Sequence, residues 1–239
     1  MVPGLSPSLA TAENSPGPRG AETRALLLDA GLRLFGVKGY DGVATRALSA
    51  EAGTNIAAIA YHFGGKRELY REVLRQLVID TEPHLGPVLA RVQRELAGAK
   101  SDPRALAALI AGMVGDVARI FLSGEFMRHR TPMVMREYAD PSEDFHILYE
   151  GRIEPLHKTM TALAAAAMGR DAGDPVCAIQ AHTMIGQIVV FGLARVVLQK
   201  RLDWDGYTPE RTDLIARTVT ASVLASLGLP MPEPQGDPS

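Results

Sequence analysis

The sequence predicts an all-α protein, and three observations carry that prediction. Ala and Leu, both strong helix formers, abound, while aromatic residues make up only 5% of the 239 residues. Four dipeptides, Asp102-Pro103, Asp140-Pro141, Asp174-Pro175 and Thr208-Pro209, pair a capping side chain with a proline suited to the first helical turn. No stretch alternates apolar and polar residues as a half-buried strand does, and no internal repeat occurs. A chain of this length can bury a full core and hold one or two domains.

The elements follow in order. Residues 1–20 are rich in Pro, Gly, Ser and Ala without periodicity and read as a disordered arm. Glu22 to Lys38 is a first helix with Leu27, Gly31, Leu34 and Phe35 inward, and Gly36 and Gly39 marking its end. Two short helices follow within Thr45 to Phe63. A fourth starts near Lys66 and runs toward Asp80; Pro83 and Pro87 are expected to kink or break it before residues 88–97 resume. Asp102-Pro103 starts a helix that runs to about Phe121. Residues 123–137 are irregular, with Pro132 inside. Asp140-Pro141 opens a further helix that Pro155 must bend or restart. After a loop at 169–173, Asp174-Pro175 starts a long helix to about Lys200, and Thr208-Pro209 starts the last one, which ends at Gly228. The Pro-rich residues 229–239 read as a second disordered segment. About nine helices result: residues 21–65 form a first unit and residues 66–228 a second.

The densest signal lies between Thr45 and Lys66. Thr45 can cap a helix in which Ala47, Leu48 and Ala52 repeat at helical spacing. Gly53 sits where the chain must turn, a position that often needs φ > 0. Asn55 can cap the next helix, with Ile56, Ile59 and Phe63 on one face. Two short helices joined by a tight turn are the organisation of a helix-turn-helix, whose second helix enters the DNA major groove. Thr54, Asn55 and Ala58 are placed to reach base edges, since Asn can pair bidentately with adenine and an Ala methyl can meet thymine. Tyr61 and His62 can contact phosphate or sugar, as can Thr45 and Arg46 at the start of the first of these helices. Lys66, at the start of helix four, suits a phosphate. The blander alternative is that Tyr61 and His62 pack and Asn55 only caps.

These residues, with Gly39-Tyr40 before them and Glu68-Leu69 after, resemble the N-terminal domain of the TetR/AcrR family of bacterial repressors. That family reads Thr-x-x-x-Ile-Ala-x-x-Ala-Gly-Val-Ser-x-Gly-x-x-Tyr-x-His-Phe-x-x-Lys-x-x-Leu, and the match spans roughly residues 22–70. There are two departures: Ala57 stands at the family's small Gly, and Ala60 at its frequent tyrosine, so one expected DNA contact is missing. Arg136-Glu137, Asp140-Pro141-Ser142, Leu148-Tyr149-Glu150 and Ile153-Glu154-Pro155-Leu156-His157 resemble the CecR-like branch. The resemblance implies a double-stranded DNA operator, a homodimer and a small-molecule effector. The expected effector site lies between helix five and the following segment. It uses Phe121, Phe126, Met127, Met133 and Tyr138 as an adaptable apolar lining, with His129 and Arg136 for a polar or acidic end. The alternative is that the apolar side chains are core and the cations solvated. The last two long helices are expected to form a four-helix dimer interface through Ile185, Ile188, Val189 and Leu224.

Charge permits this reading without demanding it. The net charge is −2, with a local excess of two positive charges over residues 19–70 and −4 in the rest. One cysteine, Cys177, excludes an internal disulfide framework and fits a reducing cytoplasm. No secretory signal or bilayer-spanning run is expected; the most apolar stretch, Met184 to Leu198, is short and contains Gln187 and Arg195. On a straight helix His146, Glu150, Glu154 and His157 would share a face and could hold a divalent metal, but Pro155 argues against a straight helix, and ordinary salt bridges explain the same residues. Cys177 and His182 point about 140° apart on one helix, and no catalytic or cofactor motif is present. The sequence thus reads as a DNA-binding regulator without cofactor or metal. The runner-up is a helical small-molecule-binding or adaptor protein of the same fold that lost DNA binding, favoured by Ala60 alone.

Overall fold

The computed structural model describes residues 18–122 and 129–232, and in these residues all regular secondary structure is helical, without strands. The helices are α1 (Pro18–Lys38), α2 (Thr45–Glu51), α3 (Ala57–Phe63), α4 (Lys66–Ala99), α5 (Pro103–Leu122), α6 (Thr131–Ala139), α7 (Phe145–Leu148), α8 (Glu154–Met168), α9 (Pro175–Leu193), α10 (Arg195–Leu202) and α11 (Pro209–Ser226), with a π-helical turn at Tyr149–Ile153 between α7 and α8.

The capping residues act as their chemistry dictates. Asp102 accepts the Arg104 amide at 2.8 Å, Asp174 the Val176 amide at 2.9 Å and Thr208 the Arg211 amide at 3.3 Å. Gly39, Gly53 and Gly169 hold positive φ at turns after helices, and Gly228 does the same after α11. Several details differ from the sequence-based expectation. First, Ala44, not Thr45, precedes α2 as its cap, and no side chain closes that end. Second, α1 runs from Pro18 straight through Gly36, because Gly36 lies against α6, where a Cβ would come within 3.1 Å of the Met133 amide nitrogen.

Third, α4 is continuous over 34 residues despite Pro83 and Pro87. The two prolines sit four apart on the exposed face, so water can take the carbonyls left without donors, while Leu85 and Val92 stay buried on the other side. Fourth, Asp140 ends α6 instead of opening a helix, and the chain answers Pro155 with the π turn. Proline cannot donate to the carbonyl four residues back, so the ladder widens, with the Glu154 amide bonding to Tyr149 O. Beyond α9, Ala194 breaks the expected long helix and α10 follows.

Two apolar clusters result. One joins α1, α2 and α3 to the first half of α4 through Leu27, Phe35, Leu48, Ile59, Leu69 and Leu74, and it also takes in Met133 of α6 and Ile153 of the π turn. The other is built on α5, with α11 as its most extensive neighbour, together with the second half of α4, α8 and α9. α4 is the element shared by both. Its approach to α1 is close at Gly31, where a Cβ would come within 2.8 Å of Val73 Cγ2.

Candidate nucleic-acid interface

α3 is only seven residues long, so its orientation depends on its ends and on two anchors. Asn55 Oδ1 accepts the Ala57 amide at 3.0 Å and opens the helix. Gly64 (φ 76°) closes it, and Gly65 follows with φ 151°, after which α4 starts at Lys66. Ile59 and Phe63 are buried and fix the inner face. Ile56, expected on that face, is exposed: it precedes the first helical residue and projects beyond the core. Ala58 is half-buried against the core, so it is not on the open face, where Ala57 and Ala60 stand instead.

Tyr61 completes that face and is 77% exposed, its ring edge-on to His62 at 4.9 Å. An aromatic residue this exposed contributes nothing to the core and is available to a partner. His62 is half-buried and edge-on to Phe63. Lys66 is half-buried, its Nζ 4.2 Å from the centroid of the Tyr40 ring. Arg46 is exposed on α2, and Thr45 is half-buried at the first position of the same helix. Thr54 differs from the expectation. Its hydroxyl is sealed from solvent with no hydrogen-bond partner among the described residues, so it does not point outward.

Behind this face a polar hub ties α4 to α6 and to the segment before α7. Tyr70, buried, donates its hydroxyl to the fully buried Glu137, whose other carboxylate oxygen accepts the Ser142 hydroxyl at 3.0 Å and the Ser142 amide at 3.3 Å. Burial and the bond to Glu137 push the Tyr70 phenol well above its ordinary pKa. Arg71 Nε lies 2.7 Å from the buried Asp144, and Arg67 pairs with Glu143 and reaches Asp144 at 3.7 Å. These bonds link the first turns of α4, next to the candidate DNA face, to the rest of the molecule.

The expected effector residues are not brought together. Phe126 and Met127 lie outside the described residues. Met133 is fully buried in the cluster with α1, because α6 packs on Gly36 of that helix. Arg136 lies over Gly39, where a Cβ would come within 2.9 Å of its guanidinium carbon. His129 is exposed. Phe121 and Tyr138 do line an internal cavity of about 40 Å3 between α4, α5, α6, the π turn and α9. Arg152, not singled out from the sequence, lines it too. Its Nη1 is sealed from solvent without a hydrogen-bond partner among the described residues, and burial lowers the guanidinium pKa. The signal that marks it is Pro155, which forces the π turn that holds it.

The expected dimer residues need a similar correction. Ile185, Ile188 and Leu224 are buried inside the chain's own core, and Val189 lines the cavity. The open face of α9 carries Val176, Ile179, Thr183, Gly186, Val190 and Leu193 instead. Their alternating spacing of three and four is readable in the sequence and places them on one side of a helix. His157 and His182 pair across α8 and α9 with ring nitrogens 3.1 Å apart, while Glu154 is paired with Lys158 at 3.0 Å. Among the described residues no group of three or more His, Cys, Asp or Glu side chains is assembled for a metal.

Comparison with known proteins agrees with this geometry. Residues 27–73 match the pattern described as bacterial regulatory proteins of the tetR family, and residues 104–229 match the C-terminal domain of the HTH-type transcriptional dual regulator CecR. The chain is 30% identical over 205 residues to the HTH-type transcriptional dual regulator CecR of Shigella flexneri, an alignment covering 86% of this chain and 91% of that one. Solved structures share the fold. AibR, in complex with isovaleryl coenzyme A and operator DNA, gives a TM-score of 0.59 at 16% identity, over 84% of this chain and 97% of that one. The hemolysin II transcriptional regulator HlyIIR gives 0.56 at 16% identity with the same coverage, and PfmR from Thermus thermophilus gives 0.53 at 19% identity, over 83% of this chain and 97% of that one. An outward α3 on a capped turn, an all-helical body and sequence matches that together reach from residue 27 to residue 229 have one explanation: the chain belongs to the TetR family of transcriptional regulators, in its CecR branch.

Proposed function

We propose that this regulator is a repressor that binds a palindromic operator as a homodimer and leaves it when a small molecule occupies the body. The observation that supports DNA contact most strongly is the open ridge of α3, Ala57, Ala60 and Tyr61, flanked by Arg46 and Lys66. The small side chains let the helix sit close to base edges, with Asn55 at its entrance, while Tyr61, His62, Thr45 and the two cations take phosphates. The Ala60 departure removes a side chain from the ridge without blocking it. A gel shift with the DNA upstream of the protein's own gene tests this: a salt-sensitive complex is expected. Its absence favours the runner-up, a helical adaptor or small-molecule-binding protein without DNA binding.

The homodimer rests on α9. An 18-residue window of this helix has a mean hydropathy of 1.6 yet is only 28% buried within the chain. So large an apolar face in water needs an occupant, and a second copy meeting it about a two-fold axis, with α11 alongside, covers both copies at once. α9 and α5 are each long and apolar enough to cross a membrane, but α5 is 56% buried in the core. Purification without detergent and light scattering separate the two readings of α9, with a dimer expected. Two half-sites about 34–36 Å apart would then meet the two α3 helices. The site of action is the cytoplasm, where the operator DNA is. An effector that favours one arrangement of the body shifts that spacing through α4.

A further inference from the structure

We propose that the effector is a small carboxylate with a compact apolar body, and that Arg152 receives its anionic end in the cavity between α4, α5, α6 and α9. This deepens the reading of the chain as a ligand-released regulator and rests on it. Charge on this wall is unbalanced. A guanidinium taken out of water is costly unless it is paired and hydrogen-bonded. Arg152 is half-buried overall, its Nη1 is sealed from solvent, and it forms no ion pair or hydrogen bond among the described residues. Beyond burial, the groups that act on it are the Tyr138 phenol and then Glu82; Glu82, the only carboxylate of the two, is exposed and not bonded to it.

The other cation on the cavity wall is already satisfied: Arg130 Nε lies 3.2 Å from Asp80, and the two form a salt bridge. Among the described residues of this wall, Arg152 is thus the cation still lacking an anion. The remainder of the wall decides the rest of the ligand. Leu77, Val117, Phe121 and Ile188 present carbon, so the occupant carries an apolar body behind its charged end. A planar fork of donors suits a carboxylate with two parallel bonds. Tyr138 stands at the same wall and adds a hydroxyl to it.

At about 40 Å3 the cavity accommodates the anionic end in place of water, and the apolar body requires the walls to part. That requirement couples binding to DNA release. Leu77, Thr81 and Leu85 of α4 are wall residues, and α4 begins at Lys66 beside the DNA face. The π turn presses on the same helix, since a Cβ on Gly151, next to Arg152, would lie 2.9 Å from Val78 Cγ1. A ligand that draws Arg152 inward therefore displaces the π turn against α4. Single π turns inside helices recur at functional sites.

The test uses the full-length protein and matched probes: benzoate, hexanoate and octanoate against benzamide, hexanamide and octanamide, measured by calorimetry and by the shift in thermal unfolding. At least one carboxylate is expected to bind about tenfold or more tightly than its amide, a difference of about 1.4 kcal/mol. The same carboxylate is expected to release operator DNA. R152Q should erase the preference of carboxylate over amide, and R152K should keep part of it. Equal binding of acids and amides, no binding by any of the three acids, or an unchanged preference in R152Q overturns the proposal. Should R152Q not unfold cooperatively, the acid-amide comparison on the unaltered protein remains decisive. A protein that binds the acid through Arg152 but keeps its operator DNA overturns the assignment of the acid as effector, whereas a protein that binds the acid but no operator DNA overturns the repressor reading and leaves the site intact.

Discussion

The open face of α3 and the open face of α9 are both surfaces the fold leaves uncovered, and they are opposite in chemistry. α3 shows small side chains and Tyr61, with Arg46 and Lys66 beside it. α9 shows Ile179 and Leu193, 64% and 65% exposed, and carries no charged residue along its length. A surface of the first kind gains affinity by displacing counterions from a polyanion, so it is salt-sensitive and tolerates water. A surface of the second kind gains it by leaving water altogether. Exposure alone does not define a site; the chemistry of what is exposed selects the partner.

The largest expected effect breaks the α9 side. Ile179→Asp or Leu193→Asp puts a charge on the proposed dimer face and should cost about 3–5 kcal/mol of association, giving monomers by light scattering and loss of operator binding. Ile185→Ala, on the same helix but in the core, should instead lower monomer stability by about 2–5 kcal/mol in denaturant titrations while leaving the dimer face unaltered. If both variants behave alike, the two sides of α9 are not distinct as described.

A smaller effect sharpens the α3 side. Lys66→Ala should weaken operator binding by about 1.5–3 kcal/mol, the range for a hydrogen bond to a charged group, and lower the slope of log K against log salt by about 1. An unchanged slope in gel shifts across a salt series argues that Lys66 serves only Tyr40. Smaller still, Asn55→Ala removes the bond to the Ala57 amide and should cost about 1 kcal/mol of stability. A loss of operator affinity well beyond that, with the fold intact, would assign Asn55 a base contact as well.

The smallest effect depends on pH. Burial, and then the charge of His182, hold the His157 pKa below its usual value, so the fold favours the neutral imidazole. The unfolded chain takes up that proton first as pH falls below about 6.5. Stability is therefore expected to decline as pH drops through that value toward the lower folded one, and His157→Gln should flatten the decline in thermal unfolding measured from pH 7 downward.

By itself the sequence determined the local chemistry. Asp102, Asp174, Thr208 and Asn55 cap because their side-chain oxygens meet amides two or three residues away, and Gly53 turns because it has no Cβ to forbid positive φ. The family was legible from the same stretch, since the spacing from Thr45 to Lys66 is local. The tertiary structure decided which side of each helix is covered, and that depends on neighbours distant in sequence. Ile185 and Ile188 read as interface residues because they are apolar on an apolar helix, yet α5 and α8 claim them. Met133 and Arg136 read as a pocket because they cluster in sequence, yet α1 turns them away. Arg152 was silent in the sequence, since a buried guanidinium without a partner is a property of the walls around it, and those walls come from five separate segments of the chain.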